Sequence, residues 1–261
     1  MKLRKFLIVL FIGIYTQSSF AQVKKDTIRV LFVGNSFSYY YNLPEVVNAM
    51  SAYSDKVYID TRHSLVGGSD LSQHLKGDNG TETLDILAKE KFDYVVLNHH
   101  SLATIKDADT FFETSKKMVD LIRSKDSKPI FMMTWAYKSN PLMLKTIAAD
   151  YENMSSKLGV DLVPCGKLFD EVRNKRPDLN MYEDDDKHPS KHATYLNGLT
   201  FFKYFTNEKT SKIPNRITTA DKNGQKLYLL LLSQENADFL QQLVDDYDFK
   251  TLTYVNNNIK K

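Results

Sequence analysis

The chain carries a single cysteine, Cys165, so no disulfide can form within it and its stability has to come from a buried core. It also lacks an excess of either charge. The formal net charge is +3, and Lys2, Arg4 and Lys5 account for it within the first 21 residues, which hold no acids. The remainder is neutral, which gives no electrostatic reason to expect nucleic acid or an anionic membrane as partner. The apolar stretch over residues 6–15 is too short to cross a bilayer, and no cysteine follows it to take a lipid anchor. No repeat, low-complexity segment or linker divides the chain. A glycine-rich phosphate loop is missing, which weighs against nucleotide binding. So is Gly-x-Ser-x-Gly, since residue 38 is Ser, and this disfavours a lipase-type nucleophile elbow.

What is present begins with an export signal. A basic start, an apolar stretch and Ser19-Phe20-Ala21 predict a signal peptide over residues 1–21, cleaved before Gln22. The mature chain is then expected in the periplasm or the medium, with no integral membrane segment left after cleavage. Residues 22–261, from a chain that is 42% apolar, suffice for one sizeable domain.

Five short apolar runs read as strands: residues 28–33, 57–61, 94–97, 130–134 and 160–163. Polar residues scarcely interrupt them, as expected of strands covered on both faces. Helical spacing marks residues 43–52, 84–89, 110–123 and 142–157 between them, then 168–173 and 195–205. The alternation predicts an α/β fold with a parallel sheet and helices on both sides. Residues 206–226 read as a polar surface excursion, and residues 227–232 fit strand or helix equally. Ser233 then caps a last helix running to about Tyr247.

In such sheets ligands bind beyond the carboxyl ends of the strands, and Ser36 stands there, two residues past the first run. It suits a helix N-cap or a nucleophile, and a nucleophile needs a base oriented by an acid. Late in the chain, Asp185-Asp186-Lys187-His188-Pro189-Ser190 offers both, or else a solvated acidic run beside a surface histidine. Pro189 disfavours helix at His188, and Asp185 can curl back to the ring to fix its tautomer.

Gly34-Asn35-Ser36-Phe37 and Asp185-x-x-His188-Pro189 together resemble the first and last motif blocks of the SGNH (GDSL-type) hydrolases. The resemblance implies a flavodoxin-like three-layer α/β/α sandwich around a central, mostly parallel five-stranded sheet. It implies Ser36 as nucleophile, His188 as base and Asp185 as acid. Val66-Gly67-Gly68-Ser69 resembles the second block, with Gly68 preferred over Gly67 as a backbone oxyanion donor beside Ser36. The third block, normally Gly-x-Asn-Asp, is missing. Asn98 stands at that strand end as an off-pattern candidate donor. Leu31 to Ser38, Gly67-Gly68-x-x-Leu71-x-x-His74, and His188-Pro189-Ser190 followed by Tyr195-Leu196 are similar to the SGNH-like proteins of Bacteroidetes-type bacteria.

These residues lead to the expectation of a secreted serine esterase. By the same resemblance it removes acetyl or other short acyl groups from a small-molecule or glycan ester, without cofactor or metal. The alternatives are a lipase or lysophospholipase, and a non-catalytic glycan-binding protein on the same fold. A metal at His99 and His100 with His63 or His74 is disfavoured, because adjacent side chains on an extended segment point opposite ways. His74 is expected to pack or hydrogen-bond near the Gly67–Gly68 loop. Tyr39, Tyr40, Tyr41 and Trp135 are candidates to line the pocket.

Overall fold

The computed structural model describes residues 25–100 and 102–249. The signal peptide expected over residues 1–21 lies outside them. In chain order the elements are β1 (Asp26–Gly34), α1 (Ser36–Tyr39), α2 (Leu43–Ser51), β2 (Val57–Leu65), α3 (Leu71–Lys76), α4 (Thr83–Lys89) and β3 (Tyr94–Leu97). There follow α5 (Ala103–Lys106), α6 (Ala108–Arg123), β4 (Lys128–Met132), α7 (Met143–Leu158), β5 (Asp161–Val163), α8 (Cys165–Lys175) and α9 (Lys191–Thr206). The last three are β6 (Arg216–Ala220), β7 (Lys226–Leu231) and α10 (Gln234–Asp246).

Five strands form one sheet in the order β2-β1-β3-β4-β5, and every pairing in it is parallel. The uninterrupted apolar runs have a direct cause, because alternate residues face opposite layers and both layers are covered. Val30, Phe32, Val96, Ile130, Met132 and Val163 face one side, packed against α2, α8, α9 and α10. Leu31, Val33, Val95, Leu97, Phe131 and Leu162 face the other, against α3, α4, α6 and α7. The sandwich therefore has two apolar cores with the sheet between them.

The chain leaves β1 for β2 on one side of the sheet and returns to β3 on the other. This reversal opens a crevice beyond the carboxyl ends of β1 and β3, where open α/β sheets place their ligands. Gly34 closes β1 at this point. A Cβ there would stand 2.7 Å from Asn98 Cβ and 2.8 Å from the Asn98 carbonyl oxygen, so only glycine permits the approach.

Outside the central sheet one expectation is corrected and one open reading is resolved. The stretch read as a polar excursion contains β6, which pairs antiparallel with β7, so the apolar run after it is strand as far as Leu231. Ile217 and Leu230 bury one face of this hairpin, while Leu227, Tyr228 and Leu231 remain exposed. No helix among the described residues is long and apolar enough to cross a membrane.

Candidate active site

Asn35 is the residue that caps α1. Its backbone is extended, its Oδ1 accepts the Phe37 N–H at 3.1 Å, and its Nδ2 donates to the Ser69 carbonyl at 3.1 Å. With the capping task taken by its neighbour, Ser36 becomes the first residue of α1 and keeps its hydroxyl for another partner. That partner is His188: Oγ and Nε2 are 2.8 Å apart across 152 positions of sequence. On the other side of the ring, His188 Nδ1 hydrogen-bonds Asp185 Oδ2. An anionic carboxylate can only accept, so Nδ1 carries the hydrogen and Nε2 is left to accept from the Ser36 hydroxyl.

The loop holding this pair is fixed by its own backbone. Glu183 N donates to the His188 carbonyl at 2.9 Å, Ser190 N to Met181 O at 3.1 Å, and Asp186 N to Glu183 O at 3.0 Å. Asp186 takes a left-handed conformation, φ 61°, to complete the turn. Asp185 Oδ1 accepts the N–H groups of Lys187 and His188, each at 3.0 Å. Partial burial raises the Asp185 pKa, but hydrogen bonds from the His188 N–H, the His188 ring and the Lys187 N–H outweigh this. The net effect holds the carboxyl below its usual range. After the loop, the Ser190 side chain caps α9.

Aromatic rings brace the imidazole. Tyr40 stacks on it with centroids 4.2 Å apart and planes 9° apart, and Phe37 meets it edge-on at 5.6 Å. The Tyr41 hydroxyl donates to Glu183 Oε1 at 2.9 Å, which ties the Ser36 turn to the histidine loop. Tyr39 is half exposed, and its hydroxyl lies 3.1 Å from the position a Gly67 Cβ would occupy. Trp135 does not line the pocket as expected. It is wholly buried, stacked between Phe37 at 4.5 Å and Phe169 at 4.2 Å, with Nε1 donating to the Lys187 carbonyl at 2.9 Å. It supports the site from beneath.

Gly68 lies at the tip of the turn after β2 with φ 72°, a conformation that favours glycine, and a Cβ there would meet nothing within 4 Å. Among the described residues neither the Gly68 N–H nor the Ser36 N–H has a hydrogen-bond acceptor, and both residues line one cavity. The buried His74 holds the two turns together. Its Nε2 lies 2.9 Å from the Gly34 carbonyl and 3.0 Å from Ser69 Oγ, and its Nδ1 lies 2.7 Å from Thr83 Oγ1. Burial lowers its pKa and favours the neutral ring, whose hydrogen sits on Nε2 facing the carbonyl.

Asn98 is placed differently from the expectation. Its Oδ1 accepts the Ser38 hydroxyl at 3.1 Å and its Nδ2 donates to the His99 carbonyl at 3.1 Å. It is 1% exposed and does not line the cavity at Ser36. Its oxygen and one of its two N–H donors brace the close approach of β1 and β3.

The cavity measures about 260 Å³ and is lined by Asn35, Ser36, Phe37, Gly68, His100, Tyr137, Lys187 and His188. Asn35, Lys187 and His100 are named from sequence without a place in the pocket, and Tyr137 not at all. The signal for His100 was its position just past β3, where a side chain enters the crevice. His99 and His100 diverge as adjacent residues on extended backbone do, His99 packing against Phe111 at 5.1 Å. Among the described residues no three His, Cys, Asp or Glu side chains gather as metal ligands would.

No family model and no curated protein matches the sequence. Solved structures do. A DUF4886 family protein from Bacteroides uniformis is 19% identical, with a TM-score of 0.65 over 85% of this chain and 94% of its own. A protein grouped with the SGNH hydrolases, from Slackia heliotrinireducens, is 21% identical, with a TM-score of 0.59 over 70% of this chain and 100% of its own. A variant of Axe2, an acetyl xylan esterase from Geobacillus stearothermophilus, is 13% identical, with a TM-score of 0.52 over 70% of this chain and 94% of its own. The chain therefore shares its fold, a five-stranded parallel sheet between two layers of helices, with solved SGNH hydrolases.

Proposed function

We propose that the chain is an exported serine esterase that removes acetyl or similarly short acyl groups from carbohydrate. The observation that carries this reading is the hydrogen-bonded series Ser36 Oγ, His188 Nε2, His188 Nδ1 and Asp185 Oδ2. In the reaction His188 takes the Ser36 proton as the oxygen attacks the ester carbonyl carbon. The charge that develops on the carbonyl oxygen is held by the N–H groups of Ser36 and Gly68. Imidazolium then protonates the departing alkoxide, which leaves an acyl-serine. Water, deprotonated in turn by His188, releases the carboxylic acid and restores Ser36. Asp185 keeps the ring in the tautomer this sequence needs and stabilises its charged form.

The acyl group is proposed to be short because the cavity, at about 260 Å³, falls at the small end of ligand pockets. The acetyl xylan esterase among the structural neighbours supports an acetylated glycan as substrate by analogy of fold alone. Export rests on the pattern of residues 1–21.

The test is turnover of p-nitrophenyl acetate by the purified mature chain and by Ser36→Ala. We expect a loss of at least about 10³-fold in the variant, and a decline from acetyl through butyryl to octanoyl esters. Equal rates for the two proteins would end the serine-nucleophile reading, and a preference for octanoyl would turn it to a lipase. The diversion of Asn98 from the cavity favours a second reading, a glycan-binding protein without chemistry. A fluorophosphonate probe separates the two, since it labels Ser36 only in an esterase.

A further inference from the structure

We infer that His100 supplies the third oxyanion donor of this site, its Nε2–H occupying the role that Asn98 does not fill. The inference rests on the esterase reading above and adds a residue to it.

Four observations carry it. First, His100 lines the same cavity as Ser36, Gly68 and His188, and it arrives there from the end of β3, the strand next to the one that delivers the nucleophile. Second, local contacts hold its backbone and ring. The His100 N–H donates to His99 Nδ1 at 2.8 Å, and His100 Nδ1 accepts the Leu102 N–H at 3.2 Å. Third, that second bond decides the tautomer. A ring nitrogen that accepts carries no hydrogen, so the neutral imidazole bears its hydrogen on Nε2, at the end of the ring away from the backbone. Fourth, among the described residues no acceptor meets Nε2, and His100 lines the cavity. The neutral form is the favoured one, because partial burial and the nearby Lys106 lower the His100 pKa against the opposing pull of Asp70.

The arrangement excludes two rival roles. His100 cannot replace His188 as base, since its only free lone pair is occupied by the Leu102 N–H. It is also not a metal ligand paired with His99, whose ring turns away into the core against Phe111. What remains is a fixed, uncharged N–H donor, and such a group serves a carbonyl oxygen that becomes negative in the transition state. With Ser36 and Gly68 it completes a set of three N–H donors built from the ends of β1, β2 and β3.

The experiment compares His100→Ala, His100→Phe and His100→Gln with the wild type on p-nitrophenyl acetate, each first checked for a wild-type circular dichroism spectrum and thermal transition. One oxyanion donor is worth about 10²–10³-fold in kcat. We therefore expect kcat to fall by roughly that factor in the Ala and Phe variants while KM stays within about threefold, the pattern of an interaction made only in the transition state. His100→Gln, which restores an N–H at similar reach, is expected to recover at least about tenfold over His100→Ala. The Phe variant guards against a folding defect in the Ala one, because it keeps a ring of similar bulk. Ala and Phe variants with kcat near wild type would overturn the inference and leave the esterase reading standing. The same holds if only KM changes, or if Gln is as slow as Ala. A wild type no faster than Ser36→Ala would overturn both.

Discussion

Single side chains in this site divide into those whose place follows from chemical type and those whose place follows from where the chain turns. Ser36, His188, Asp185 and Gly68 belong to the first kind, and their types and spacing could be read in the sequence. The second kind could not. Asn98 has the right group at a strand end, yet its amide is turned to Ser38 and the His99 carbonyl. Trp135 follows β4 but points beneath the site rather than into it, which no periodicity distinguishes. Tyr40 falls between, named as an aromatic near the serine without its geometry. Its ring lies flat on the imidazole at 4.2 Å, held there by two left-handed residues in succession, Tyr41 and Asn42. Aromatic stacking of this kind is worth about 0.5–1.5 kcal/mol. Tyr40→Leu is accordingly expected to lower kcat about fivefold to tenfold with little change in KM, and Tyr40→Phe to restore it. Steady-state kinetics of the two variants check this positioning role.

At the scale of elements, strands covered on both faces announce themselves, and the boundaries expected from sequence fall within a few residues of β1 to β5. Shorter or one-sided elements do not. The helix α3 has only six residues and was missed, although Asp70 and Gln73 form a capping box that marks its start. The strand β6 was missed because only Ile217 in it is deeply buried, so no apolar alternation appears. The junction after α9 makes a prediction about acid. Glu208 is 8% exposed and accepts from Ser54, from the Asp55 N–H and from Lys212. Burial raises its pKa, but Lys212, Ser54 and Asp55 together pull it from 4.5 down to about 2. A carboxyl depressed on folding contributes stability above its unfolded value that is lost as pH falls through the folded one. Glu208→Gln should therefore be less stable than wild type at pH 7, by on the order of 2 kcal/mol. The gap should close between about pH 4.5 and 2, as followed by urea midpoints across that range.

Over the whole molecule, the order of the strands brings five separate stretches of chain to one crevice, and alternation of strand and helix was enough to foresee that. Cys165 reports on the integrity of the assembly. It sits at the start of α8 with no exposure, and burial pushes its thiol pKa up, so the thiolate is scarce as well as inaccessible. We expect Ellman's reagent to leave the native protein unmodified and to label it stoichiometrically in urea, at a rate that tracks global unfolding. Prompt labelling without denaturant would contradict the packing of α8 against the sheet.

The hydroxyl and the imidazole that meet in the crevice are supplied by distant stretches of the polypeptide, 152 positions apart. Until the later stretch has been synthesised and has docked, the earlier one has nothing to draw off its proton. On the esterase reading proposed above, a nascent or unfolded copy is chemically silent, and esters it encounters while still extended are safe from it.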